Sequence, residues 1–415
     1  MTIIAPNPAT SRDNRVDFWR GVALVMIFVN HVPGTLWEHF TSRNFGFSDA
    51  AELFVFLAGF AAAFAYGRPF LGGQRLVATV KAMRRAGTLF LVQMTLNMLA
   101  IGLFAWAALV FGEGELMRRM NLPALSDKPL EAFYGLASLG HQFGYLNILP
   151  MYIVLLLMLP MLLWLASVSR ELMLGASLLL WAAASGFNLN IPAFPNPGGW
   201  FFNPIAWQLI FAVGLYAGLR KSAGLASVPY RPWLLALALG YLLFAFVTVR
   251  YALWFLVFGL GDVLPRAIAG LDKTFAAVPR VLHVLALAYV FANAARHSFF
   301  ANITRENPLA AMGRHSLPVF AFGTMLSLIC QVIKFGDETN AIFDTSLLAA
   351  GLGLQFALVW WLEWWANYQK RIARRTDAQT ASTSHPPAAV DDSATPSGPL
   401  AGPATAPTTG TRPAP

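Results

Sequence analysis

The chain has 415 residues, 57% of them hydrophobic and 12% charged, with a net charge of +9. A soluble domain carries about twice that charged fraction, so the composition excludes an ordinary soluble globular protein. The positive charge does not indicate nucleic acid, because the basic residues sit in short segments between apolar runs, as the positive-inside rule requires.

Apolar runs of about 18 residues or more can each cross ~30 Å of hydrocarbon, and they recur along most of the chain. They predict an all-α polytopic bundle of about ten spans, at 16–34, 50–67, 87–111, 145–167, 171–187, 203–220, 232–256, 278–296, 314–334 and 344–367. Between 232 and 280 the residues Arg250, Asp262, Pro265 and Arg266 interrupt the pattern, and a shorter re-entrant piece there would change the number. The first apolar segment is studded with polar groups and lacks a small-residue cleavage site, so it reads as a retained helix and not as a signal peptide. With the N-terminus inside, the cytoplasmic segments hold 18 Lys and Arg against 9 outside. Both termini are therefore expected in the cytoplasm. Residues 1–14 then form a short cytoplasmic N-terminus and 15–368 the transmembrane domain. Trp360, Trp361, Trp364 and Trp365, followed by KRIARR, have the composition of an interfacial belt. From Thr376 to Pro415 the chain holds eight prolines among Ala, Thr and Ser, which predicts a disordered cytoplasmic tail. The single cysteine, Cys330, allows no disulfide within the chain.

Asp17, Arg20, Leu24, Ile27 and His31 follow a 3-4-3-4 spacing in the first span. At ~100° per residue they share one face, with Arg20 and His31 ~16 Å apart along the axis. Charged and titratable groups are expensive inside a membrane and mark function by default. A guanidinium fork suits a phosphate or carboxylate, and an imidazole suits removal of a hydroxyl proton. The same spacing also permits an Asp17–Arg20 ion pair at the helix end, with His31 capping a neighbouring carbonyl. Asp49 and Glu52 lie on one face at the mouth of the second span, where they either orient a histidine and hold a substrate hydroxyl or form a capping box. His141, Tyr145 and Asn147 precede the fourth span and suit contacts to a sugar, or they satisfy a helix terminus. The uncharged loop 190–208, rich in Pro, Gly, Asn and Trp, suits a carbohydrate or an interfacial turn. Arg314 and His315, at the inner start of the ninth span, suit an anionic cofactor or a positive-inside anchor. His283 reads as packing. The chain has no GxxxxGK[ST], HExxH, GxSxG or Cys-pair motif, so ATP-driven work, a metal centre and a serine nucleophile are not expected.

The first helix, DFWRGVALVMIFVNH, resembles the signature of the acyltransferase-3 type of membrane acyltransferase, in which an arginine and a histidine flank ten residues. The segments RNFGFSDAAELFVFLAGF, LNILPMYIVLLLMLP, NPIAWQLIFAVGLYAG and MGRHSLPVFAFG are similar to the OpgC branch, the succinyltransferases of osmoregulated periplasmic glucans. This resemblance covers roughly residues 12–368. It implies an inner-membrane bundle that moves an acyl group, succinyl in that branch, from cytoplasmic acyl-CoA to hydroxyls of a periplasmic glucan. No metal is implied, and the expected partners are the lipid bilayer and the glucan. The family histidine falls on His31, the arginine on Arg20 and the upstream acid on Asp17, which form the catalytic set. Asp49, Glu52, Asn147, Arg314 and His315 are the substrate-binding candidates. The chain departs from the pattern at Ala58-Gly59-Phe60, where such families often have Ser-Gly-Phe. Either direct transfer or an acyl-histidine intermediate fits these residues. The alternatives are a transporter or flippase for an anionic or sugar substrate, which the lack of internal repeats disfavours, and acylation of another envelope polymer.

Overall fold

Hydrocarbon offers no partner for a backbone N–H or C=O, so an apolar chain must close its hydrogen bonds within helices. The computed structural model describes residues 13–112, 114–255, 268, 270–295, 297–335 and 340–383, and among them there are helices, turns and one isolated bridge, Pro192 to Gly199, but no strand. Residues 1–362 form one unit and 363–415 a second.

The main helices are α1 (Asn14–Asn30), α2 (Ala50–Ala62), α3 (Arg75–Phe111), α4 (Pro129–Ala137), α5 (Ile148–Val168) and α6 (Arg170–Gly186). They are followed by α7 (Pro204–Ser222), α8 (Pro232–Arg250), α9 (Val278–Ala292), α10 (Pro308–Arg314), α11 (Ser316–Ile333) and α12 (Ala341–Thr383). Beyond Ala62 the second helix continues through a π-turn to Leu71. Six helices are long and apolar enough to cross a membrane: Ala50–Leu71, α3, α5, α8, α11 and Ala341–Arg374 within α12. The other expected spans are helical at α1, α6, α7 and α9, but these are shorter or less apolar than the six. The interrupting residues Asp262, Pro265 and Arg266 lie outside the described residues. Exposed apolar side chains such as Leu76, Leu91, Trp106 and Leu109 on α3 are those a lipid-facing surface requires.

Helices in lipid associate by close packing, because burying apolar surface against protein gains little over burying it against lipid. Small residues therefore set the two contacts that place the site. A Cβ on Gly21 would overlap the Leu309 carbonyl oxygen and one on Gly313 the Asp17 carbonyl oxygen, so α1 and α10 touch backbone to backbone. Gly59 and Gly214 bring α2 against α7 in the same way, at the carbonyls of Phe211 and Phe56. Asp13 caps α1, accepting from the Arg15 N–H at 3.0 Å, and pairs with the Arg15 guanidinium and with Lys221 at the end of α7.

The tail assignment needs one correction. Helix α12 runs through to Thr383, so 376–383, read as the start of the tail, are helical. Extending an existing helix avoids the cost of nucleation, and Ala378, Gln379 and Ala381 favour it. Residues 384–415 of that tail and 1–12 of the N-terminus lie outside the described residues. In the second unit Trp364 stacks on Tyr368, with centroids 5.6 Å apart.

Candidate functional site

The seam of α1 reaches two recesses, one near each end. At its start Asp17 is buried against α10. One turn on, Arg20 donates from Nη2 to the Leu57 carbonyl of α2 at 3.1 Å. Arg20 lines a pocket of about 200 Å³ together with Arg85, Tyr66, Tyr152, Ser316 and Ala58. Two guanidinium groups and two phenols around so small a volume suit the oxygens of an anion. The methyl of Ala58 stands on that wall, where the related pattern has a hydroxyl. Ser316, Leu317 and Phe320, and not Arg314 and His315, supply the α11 part of the lining. Arg314 turns its Nη1 to the Arg305 carbonyl at 2.8 Å.

His31 closes α1. Its backbone N–H reaches the Ile27 and Phe28 carbonyls, and its own carbonyl accepts from Gln331 Nε2 at 2.7 Å. The capping role is thus taken by the backbone. The imidazole stacks on Tyr145, with centroids 4.4 Å apart and planes at 22°, and its Nδ1 is buried with no hydrogen-bond partner among the described residues. Tyr145 is part of the wall of a cavity of about 1020 Å³, and so are Val32 and Pro33, directly after His31. His141, Gln142, Asn147 and Trp200 also line it. The one charged residue in its described lining, Lys334, is paired with Asp344 at 2.6 Å. Asn147 reaches the Gly144 carbonyl at 3.5 Å, and the uncharged loop before α7 contributes Trp200 and Phe201. Burial pushes the His141 imidazole below its ordinary 6.5, partly offset by a hydrogen bond to the Asn121 backbone.

Asp49 and Glu52 form the expected capping box at the start of α2, with Asp49 N–H donating to Glu52 at 2.9 Å. They also do more. Lys273 pairs with Asp49, and Arg280 on α9 reaches Glu52 at 2.6 Å and Asp49 at 3.5 Å. Burial alone would raise the Asp49 carboxyl, but Lys273 and Arg280 hold it well below the usual carboxylate range. The Lys273 ammonium lies over the rings of Phe201 and Phe202, at 5.8 and 5.4 Å. The charges of Lys273 and Asp49 both act on the His31 ring, so this cluster borders the site without bonding to its Nδ1. Sequence reasoning counted Lys273 and Arg280 only as loop charges. The available signal was two isolated cations seven residues apart in an otherwise apolar stretch with no acid on that segment beyond Asp272. His283, read as packing, has a specific partner: its Nδ1 is 2.7 Å from Ser48 Oγ. Arg85 and Tyr152 went unremarked as site residues because nothing local ties them to Arg20.

The first helix thus has a small cationic pocket near its start and, beside its end, a large cavity whose one charged lining residue among those described, Lys334, is paired. The family model described as OpgC protein matches residues 12–367, and the chain belongs to the OpgC family. Membership makes it a membrane acyltransferase-type enzyme of glucan modification. No protein of curated function and no solved structure matches it.

Proposed function

We propose that this protein, in the inner membrane of a bacterium with both termini in the cytoplasm, transfers a succinyl group from succinyl-CoA to hydroxyls of a periplasmic glucan. The observation that carries this reading is the placement of Arg20 and His31 on one helix, with Arg20 in a cationic pocket and His31 stacked on Tyr145 in the wall of the large cavity. The anionic end of the donor lies on Arg20 and Arg85, and its acyl end is presented to His31. His31 takes the proton of a glucosyl hydroxyl as that oxygen attacks the thioester carbonyl carbon. The C–S bond breaks, the proton passes from the imidazole to the departing thiolate, and the products are the glucan ester and free CoA. Asp17, buried at the other end of the seam, is the acid of the catalytic set and fixes charge on this face.

The test is mass spectrometry of periplasmic glucans from a deletion strain complemented with wild type or with His31→Asn. Positioned proton transfer contributes about 10²–10⁴-fold, so the acyl mass increment returns with wild type and not with the variant. Full modification by His31→Asn at normal membrane levels refutes the role of His31. Unmodified glucans in every strain refute the acceptor. A transporter would instead move its substrate without making an ester.

A further inference from the structure

The reaction leaves unexplained two buried polar atoms that belong to residues lining the large cavity. His141 is 2% exposed and Trp200 3%, and both residues line the cavity. One nitrogen of His141 is engaged by the Asn121 backbone, while its Nε2 has no partner among the described residues. The indole Nε1–H of Trp200 is equally buried and equally without an acceptor there. Native structures rarely keep such atoms unpaired, because a buried donor or acceptor loses its water and gains nothing in return.

The chemistry of the pair is complementary. An imidazole that donates one N–H to a carbonyl presents a lone pair at the other nitrogen, whereas an indole can only donate. A ligand that satisfies both must give a hydrogen on one side and accept one on the other, which is what neighbouring hydroxyls do. The remaining wall agrees: Asn147 and Gln142 supply amides, Tyr145 and Phe201 supply ring faces, and Lys334 is already paired with Asp344. A phosphate-bearing donor would find no unpaired cation there, while the opposite pocket has two arginines. The volume, about 1020 Å³, stands at the upper end of the ~300–1,000 Å³ typical of ligand sites, enough for a short stretch of polymer.

We propose that this cavity is the acceptor site, where His141 Nε2 accepts from and Trp200 Nε1 donates to saccharide hydroxyls, with Tyr145 leading from it to His31. The assignment rests on the transfer reading above, but its test separates the two. Full-length His31→Asn protein in detergent is titrated calorimetrically with unsubstituted glucan, alone and with His141→Leu or Trp200→Phe added. Each added change removes one hydrogen bond, and Trp200→Phe keeps the ring bulk. Each is expected to weaken glucan binding about three- to tenfold while affinity for succinyl-CoA stays the same. Unchanged glucan affinity in both variants overturns the site, and so does a parallel fall in the two affinities, which would mark a general loss of fold. If glucan binding depends on His141 and Trp200 but wild type makes no ester, the saccharide site stands and the transfer reading falls. If wild type makes the ester on a glucan that binds without regard to these residues, the transfer reading stands and the saccharide site falls.

Discussion

Replacing Arg280 with alanine strands Glu52 inside the bundle. Glu52 is fully buried, and Arg280 approaches it through Nε at 2.7 Å and Nη2 at 2.6 Å. Without the guanidinium, Glu52 keeps the Asp49 backbone N–H at 2.9 Å, and Lys273 remains engaged with Asp49. Breaking a buried pair from one side costs about 3–5 kcal/mol, because the other charge is left uncompensated. Removing both charges is far milder, since apolar or neutral replacements of similar volume are often close to neutral. Arg280→Ala is therefore expected to lose about 3–5 kcal/mol, whereas the double variant Arg280→Ala with Glu52→Gln recovers much of it. The assay is a detergent-denaturant titration of purified protein in mixed micelles, followed by circular dichroism, on both single variants and the double. Two results refute the reasoning: Arg280→Ala within about 0.5 kcal/mol of wild type, or a double variant that falls by the sum of the singles.

Gly21→Ala and Gly313→Ala each push a methyl into a facing backbone carbonyl, and each is expected to cost about 1–3 kcal/mol in the same titration. Gly102→Ala on α3 meets nothing within 4 Å, so it is expected to be neutral or to gain up to about 1 kcal/mol from helix propensity. Arg85→Ala should raise the KM for the acyl thioester while leaving that for the glucan unchanged, as read from initial rates in membrane vesicles. Burial raises the Asp13 carboxyl, but hydrogen bonds from Arg15 and Lys221 outweigh it and lower the pKa from 3.8 to about 2. The folded state then binds fewer protons than the unfolded chain, so this stabilisation is complete above pH ~4 and is lost as pH falls toward 2. Asp13→Asn should flatten that part of the acid-unfolding curve.

The helices were legible in the sequence because the forces that set them are local. An apolar run in lipid has little choice but helix, and the described helices coincide with every expected span apart from the interrupted stretch after Arg250. The α1 seam was legible for the same reason, since a 3-4-3-4 spacing places Arg20 and His31 on one face whatever packs against it. The capping box could be read from Asp49 and Glu52 alone, because both of its hydrogen bonds close within three residues. Family membership was legible too, in short blocks of text spread from the first helix to the eleventh.

Only the tertiary structure decided what those side chains meet. Glu52 and Arg280 are 228 positions apart, and their pairing follows from how α2 and α9 pack, which no local pattern encodes. The same holds for Arg20 beside Arg85, for His31 against Tyr145, and for the unpaired atoms of His141 and Trp200. Even the place of Arg20 depends on packing, through the backbone contact that Gly21 and Gly313 allow between α1 and α10. The sequence by itself determined the helices, the polar seam and the family, because helix periodicity and the demands of lipid act within a few residues. The pockets and the four-charge cluster came from the tertiary structure, because a cavity is made by residues distant in the chain that pack around it without filling it.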